Sequence, residues 1–383
     1  MKTSYLLLCF TLLFSHIGFS QVEYKVLESK KLQAEREIKI QLPRNYKSNT
    51  DKTYPLILVL DGDYLFEPIA GNVDYYSYWE DMPEALVVGI NQSESRKEDT
   101  RLDIQDQLPL DKGADFFEFL GGELLPLLEE NYRLSNFRII AGHDKTANFM
   151  NYYLLKENPI FHGYINLSAD YNDRIANNLP EIISSSNNKI WYYIATGSDD
   201  AGKLEEVNSQ MIVELEKIDN EKFFFYSNNF EDATHYSLVA RAIPDAIEGI
   251  FSSYRPINTK DYEDEVLTTK GSFYDYLIDR YDFIEELYNL DIKFRINDIM
   301  AISAAIEEKE KFDQYKDLGK LAQKEYPDSM IGSYFLGRYY EENGRPKRAK
   351  KEYLVAFSLN ETSYLTKDMM LEKINQLKEN FGL

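Results

Sequence analysis

From residue 22 to about residue 256, short apolar runs alternate with stretches whose apolar residues recur every three or four positions. Residues 54–60 (YPLILVL), 85–90 (ALVVGI), 137–141, 164–167, 190–195 and 222–226 (KFFFY) are the apolar runs. Runs so short and so uniformly apolar predict strands buried on both faces, as in a parallel sheet covered by helices. Residues 22–27 and 36–42 alternate polar with apolar instead, which predicts edge strands. The clearest helix is predicted over 115–131, where Phe117, Leu120, Leu124, Leu127 and Leu128 share one face. Strands and helices alternating in this way predict a three-layer α/β sandwich.

Past residue 256 the strand pattern stops, and residues 262–383 read as helical throughout. Residues 330–361 are similar in spacing to a tetratricopeptide repeat. Leu336, Gly337 and Tyr340 stand on a first helix, Asn343-Gly344 makes the turn, and Ala349, Tyr353 and Ala356 stand on a second. Small residues at such positions let two helices approach, and large ones fill the gap between them. Residues 306–327 read as a second, degenerate copy. The expected domains are therefore residues 21–256, α/β, and residues 257–383, all-helical and tetratricopeptide-like. A peptide or protein partner is an expectation for the second, and a plain helical cap is the competing reading.

The first twenty residues, MKTSYLLLCFTLLFSHIGFS, have a basic start, an apolar run from Tyr5 to Phe14, and small residues at Gly18 and Ser20. That layout predicts a secretory signal peptide, hence export to the periplasm or beyond, and it is too short for a stable membrane span. Cys9 is the only cysteine. Its removal with the leader leaves no disulfide and no thiolate chemistry. No later apolar stretch is long enough to cross a bilayer. The 383 residues carry 65 acidic and 43 basic side chains, a formal charge of −22. Such a balance argues against nucleic acid and against an anionic membrane surface as partners.

Candidate chemistry gathers at one strand-turn-helix. Residues 137–141 read as a strand, Gly142-His143-Asp144-Lys145-Thr146-Ala147 as a turn, and 148–155 as a helix. A nucleophile carried on a sharp turn of this kind needs small neighbours, so that strand and helix can approach. The blocks YPLILVLDGDYLF, ALVVGI, Arg96-Lys97-Glu98-Asp99-Thr100, GADFFEFLGGELLPLLEENY, RIIAGHD, FHGYINLSADY and the late His235 follow one another in that order. Together they resemble the esterase family of α/β hydrolases that includes esterase D and the enterochelin (siderophore) esterases. The resemblance covers residues 22–256. It implies an α/β-hydrolase fold and a small ester-like ligand.

The family's turn reads GHSxGG, with serine as nucleophile. Here Asp144 stands at the serine position, and Thr146-Ala147 stand where two glycines would be. The resemblance assigns His235 as the triad histidine and Asp199 or Asp200 as its acid, with Asp199 taken first. It assigns the oxyanion-stabilising amides to Lys145 and to Gly62 or Asp63. Three readings of Asp144 stand open: a nucleophile that attacks an alkyl carbon, a base that activates water, or a degenerate site in which Asp144 is a satisfied ion pair. A carboxylate attacking an ester carbonyl would form a mixed anhydride and offer His235 no hydroxyl proton, so serine-type acyl transfer is not available here. The β-branched Thr146 is expected to crowd the turn.

Other residues carry blander readings. His143 is expected to orient the turn, His162 to pack, Ser168 to shape a pocket, and Arg96 with Asp99 to form a structural pair. The histidines show no metal-binding spacing, Asp61-Gly62-Asp63 lacks the rest of a calcium loop, and there is no glycine-rich phosphate loop, so no metal or cofactor is expected. The leading expectation is an exported esterase-fold protein that has lost its serine nucleophile, impaired or non-catalytic and serving to bind. The alternative is an active hydrolase using Asp144, His235 and Asp199 on a small ester-like or alkyl substrate.

Overall fold

A computed structural model describes residues 22–383. The expected signal peptide, residues 1–20 with Cys9, lies outside the described residues. The chain divides into two compact units, with the break between Ser252 and Ser253.

The first unit is built on one eight-stranded sheet. Its strands are β1 (Val22–Ser29), β2 (Ala34–Gln41), β3 (Tyr54–Val59), β4 (Leu86–Ile90), β5 (Leu134–His143), β6 (Gly163–Leu167), β7 (Ile190–Asp199) and β8 (Phe223–Thr234). They lie in the order β1-β2-β4-β3-β5-β6-β7-β8. β1 and β2 pair antiparallel, as do β2 and β4, and every other pairing is parallel. Helices connect the strands: α1 (Phe66–Tyr78), α2 (Arg96–Asp99), α3 (Lys112–Phe119), α4 (Leu125–Asn131), α5 (Lys145–Met150), α6 (Asp173–Ser185), α7 (Leu204–Leu215) and α8 (Ser237–Ile250). Leu56, Leu58, Val88, Ile140, Tyr164 and Tyr192 share a core with α3 to α7. Ile57, Val59, Val87, Ile139, Ile165 and Tyr193 alternate with them and are also buried, on the opposite face. The result is the three-layer α/β-hydrolase sandwich.

Three departures from the sequence pattern have physical causes. β2 is second from the edge, flanked by β1 and β4. Two of its charged side chains are buried because they find ionic partners, Arg36 on Asp99 and Lys39 on Glu67, while Glu35 and Glu37 stay exposed. β8 runs eight residues past the KFFFY run, through the polar stretch 227–234, because β7 extends alongside it. The long helix is interrupted by a π-turn over Leu120–Leu124, at the Gly121-Gly122 pair. The wider turn shifts the buried face to Phe116, Leu120, Leu124 and Leu128 and leaves Leu127 exposed.

The second unit is helical. Its main helices are α9 (Phe273–Tyr288), α10 (Ile296–Glu308), α11 (Tyr315–Glu325), α12 (Ile331–Glu342), α13 (Pro346–Ser358) and α14 (Lys367–Phe381). Consecutive helices from α10 to α14 pack on one another. Ala349, Tyr353 and Ala356 are buried against α12, and a Cβ on Gly337 would lie 2.4 Å from the Tyr353 ring. Glycine at 337 is what lets that ring fill the gap. Asp298 is buried, accepting hydrogen bonds from Tyr281 Oη at 2.7 Å and the Ile257 amide at 2.8 Å. No helix among the described residues is long and apolar enough to cross a membrane.

Candidate active site

β5 ends at His143 and α5 begins at Lys145, so Asp144 alone makes the turn. Its backbone sits at φ +57°, ψ −115°, a region costly for a non-glycine residue. Three hydrogen bonds hold it there. The Asp144 amide donates to the Leu167 carbonyl at 3.0 Å, and its carbonyl accepts from the Asn148 and Asp170 amides, each at 3.1 Å. The close approach of helix to strand is provided by Gly142, whose Cβ would meet the Ala147 amide nitrogen at 2.7 Å.

Thr146 therefore does not crowd the turn as expected. It is fully buried in room of its own, and its hydroxyl accepts from the His143 amide at 2.9 Å and donates to Asp61 Oδ2 at 2.6 Å. Asp61 is the centre of a buried network that the sequence did not announce. It also takes Arg96 Nε on Oδ1 at 2.6 Å, Arg96 Nη2 on Oδ2 at 3.1 Å and the Tyr64 hydroxyl at 3.1 Å. The remaining Arg96 nitrogen, Nη1, lies 3.2 Å from Asp144 Oδ2, and Nη2 also donates to the His143 carbonyl at 2.8 Å. Burial opposes the Arg96 charge, but the carboxylates outweigh it and raise its pKa further. The expected Arg96–Asp99 pair does not form. Asp99 instead makes a forked, buried ion pair with Arg36, at 2.5 and 2.9 Å.

His235 follows β8 and reaches the site because β8 bulges. The β7–β8 register jumps between Gly197 and Asp199, where Ala233 sits so close that a Cβ on Gly197 would lie 2.4 Å from its carbonyl oxygen. His235 Nδ1 then lies 2.8 Å from Asp200 Oδ1 and 3.1 Å from Ser168 Oγ. The Asp200 side chain is 0% exposed. Burial pushes its pKa up, but the bonds from His235, Ser168 and the Ala201 amide prevail, and it lies below the ordinary value. Asp199, the acid taken first from the sequence, is exposed and is not the partner of His235. β7 ends at Asp199 and the chain turns there, the Asp200 amide donating to the Gly197 carbonyl at 3.1 Å, so Asp200 is the neighbour brought to the histidine.

His143 joins the two halves of the site. Its Nε2 lies 3.2 Å from the His235 carbonyl, its Nδ1 lies 2.9 Å from the Tyr64 hydroxyl, and the two imidazoles lie 4.2 Å apart between centroids. Burial first, then the neighbouring His235, push its pKa down to about 4, so it is neutral at pH 7. His162 stacks on Phe137 and accepts from the Arg138 amide at 3.3 Å, a packing role.

Among the described residues, the Asp144 carboxylate is bonded by Arg96 and not by His235. The two are neighbours through His143 but do not form a nucleophile–base pair. Of the expected oxyanion donors, Gly62 is excluded because its amide donates to the Ile90 carbonyl at 2.7 Å. The amides of Asp63 and Lys145 have no hydrogen-bond partner among the described residues. The Asp63 carboxylate is itself occupied, accepting from the amides of Gln92 and Ser93 at 2.5 and 2.9 Å. No group of three or more His, Cys, Asp or Glu side chains among the described residues is placed to hold a metal.

The geometry so built has counterparts. Residues 29–147 match the model of the family described as Putative esterase. An uncharacterised protein from Capnocytophaga ochracea DSM 7271 is 26% identical, with a TM-score of 0.83 over 94% of this chain and 100% of its own. An IroE-like serine hydrolase from Shewanella oneidensis shares the fold at 19% identity and a TM-score of 0.59, over 79% of this chain and 99% of its own. The BES protein from Bacillus cereus does so at 20% and 0.54, over 61% and 95%. No curated protein matches the chain. The first unit has the α/β-hydrolase fold, and its residues 29–147 are similar to the esterase family.

Proposed function

We propose that this protein acts after export as an esterase-fold domain that binds a small ester-like ligand at the β5–α5 turn without serine-type acyl transfer. The observation that carries the reading is the Arg96–Asp144 contact of 3.2 Å at the nucleophile position. An aspartate there cannot hand a hydroxyl proton to His235, and a carboxylate held by a guanidinium is a weaker nucleophile than a free one. The half-buried setting keeps the pair: the Arg96 side chain is 27% exposed and that of Asp144 21%. What remains is a shaped turn and two unbonded amides, at Asp63 and Lys145. Backbone N–H donors of that kind suit recognition of a carbonyl oxygen.

Short-chain chromogenic ester hydrolysis by the purified chain, with labelling by a serine-directed phosphonate, tests the reading. Wild type should show buffer-level turnover and no labelling. The single variant Asp144→Ser should gain both, because His235 and Asp200 are already paired and Thr146 has room where it stands. Wild-type turnover abolished by both Asp144→Ala and His235→Ala would overturn the reading and make Asp144 a working catalytic group.

A further inference from the structure

Away from the turn, the π-turn over Leu120–Leu124 borders a cavity of about 320 Å³. It lies beside the loop leading into β6, whereas Asp144 is bonded at the far end of that strand. The five residues of β6 separate the two by roughly 16 Å. The floor is aromatic: Phe117 and Tyr153 stack with centroids 4.1 Å apart and planes 15° from parallel. The Tyr153 hydroxyl is turned away from the cavity's chemistry, donating to the Phe117 carbonyl at 2.6 Å. Ile160 adds an aliphatic wall.

Gly121 and Gly122 line the opening. A Cβ on Gly121 would touch Ile160 at 3.4 Å, and one on Gly122 would meet nothing within 4 Å. π-turns inside helices recur at functional sites. A volume of this size lies at the lower end of small-molecule sites, roughly 300–1,000 Å³.

Charge selects the ligand. Two lysines line the cavity. Lys31 is committed to an ion pair with Glu118. Lys156 has no carboxylate partner among the described residues, and its ammonium lies 5.2 Å from the Phe117 ring centroid. We propose that this cavity is a second binding site, for a small aryl-alkyl carboxylate whose ring packs against Ile160 and the edge of the Phe117–Tyr153 stack and whose carboxylate meets Lys156. The site is independent of the chemistry at Asp144.

Calorimetric titration of the full chain with 4-phenylbutyrate tests this, with 4-phenylbutylamine as the control of opposite charge. The acid should bind saturably at one site and the amine should not. Gly122→Leu should abolish binding by filling the opening, while leaving thermal stability unchanged or higher, since a Cβ there meets nothing. Lys156→Ala should weaken binding about tenfold, consistent with loss of one charge-assisted contact, and Lys156→Arg should keep it. No saturable binding at millimolar acid, equal binding of acid and amine, or binding unmoved by Gly122→Leu would each overturn the proposal.

Discussion

Arg96 holds Asp61 with two of its nitrogens, at 2.6 and 3.1 Å, and meets Asp144 with the third at 3.2 Å. One cation thus compensates two carboxylates, one of them almost fully buried. The elbow of this protein is an ion-paired structural element as much as a place for chemistry.

Removing that cation should be expensive. Arg96→Leu leaves the Asp61 and Asp144 carboxylates without their shared cation, with an expected loss of about 3 kcal/mol in urea unfolding. Arg96→Lys should recover only part of it, because an ammonium cannot fork across two acceptors as a guanidinium does. A loss under about 0.5 kcal/mol for Arg96→Leu would mean the network does not stabilise the fold.

Thr146→Val keeps the shape and deletes the hydroxyl. The His143 amide and Asp61 Oδ2 each lose a bonded neighbour in a dry environment. Equilibrium unfolding should show a loss of about 1–3 kcal/mol. Thr146→Ser, which retains the hydroxyl, should stay within about 1 kcal/mol of wild type.

The neighbouring acids should separate cleanly. Asp200→Ala removes the partner of His235 and should cost about 1.5–3 kcal/mol, the range for a hydrogen bond to a charged group. Asp199→Ala should change stability by less than about 0.5 kcal/mol, as an exposed substitution. Equal effects in thermal or chemical unfolding would contradict the assignment of Asp200 as the acid.

Acid should destabilise the protein well above the carboxylate range. Burial pushes the pKa of both His143 and His162 down to about 4, against an ordinary value of 6.5. Between those values the unfolded chain binds protons that the folded one refuses. The stability these groups contribute is therefore complete above about pH 6.5 and falls as pH drops toward 4. Each histidine adds a slope of up to about 1.4 kcal/mol per pH unit in that window. Below it, loss of the depressed Asp200 carboxylate adds to the fall. Denaturation midpoints measured from pH 7 to pH 4.5 check this, and His162→Gln should reduce the slope by removing one titrating group. A flat profile across that range would show that the histidines are not held neutral by burial.

Much of the fold is legible in local pattern. All six apolar runs became strands. Five are inner strands buried on both faces, which writes itself directly into their residues; the sixth, 222–226, expected to be buried likewise, is the edge strand β8 and only partly buried, because no further strand covers it. The polar half of β8, the inner position of β2 and the π-turn at Gly121-Gly122 were not legible. Their stability depends on what lies beside them, not on their own sequence. The same holds at the site. Asp144 and His235 stood out by motif and order, since a turn between strand and helix constrains its own few residues. Which carboxylate faces His235, and that Asp144 faces Arg96, depend on residues 35 to 48 positions apart brought together by the sheet. Hydrophobic periodicity records which way each element turns its face. Pairing among buried charges is decided only when separate elements meet, because a guanidinium in a low-dielectric interior takes the carboxylates that tertiary structure places within about 3 Å, whatever their order along the chain.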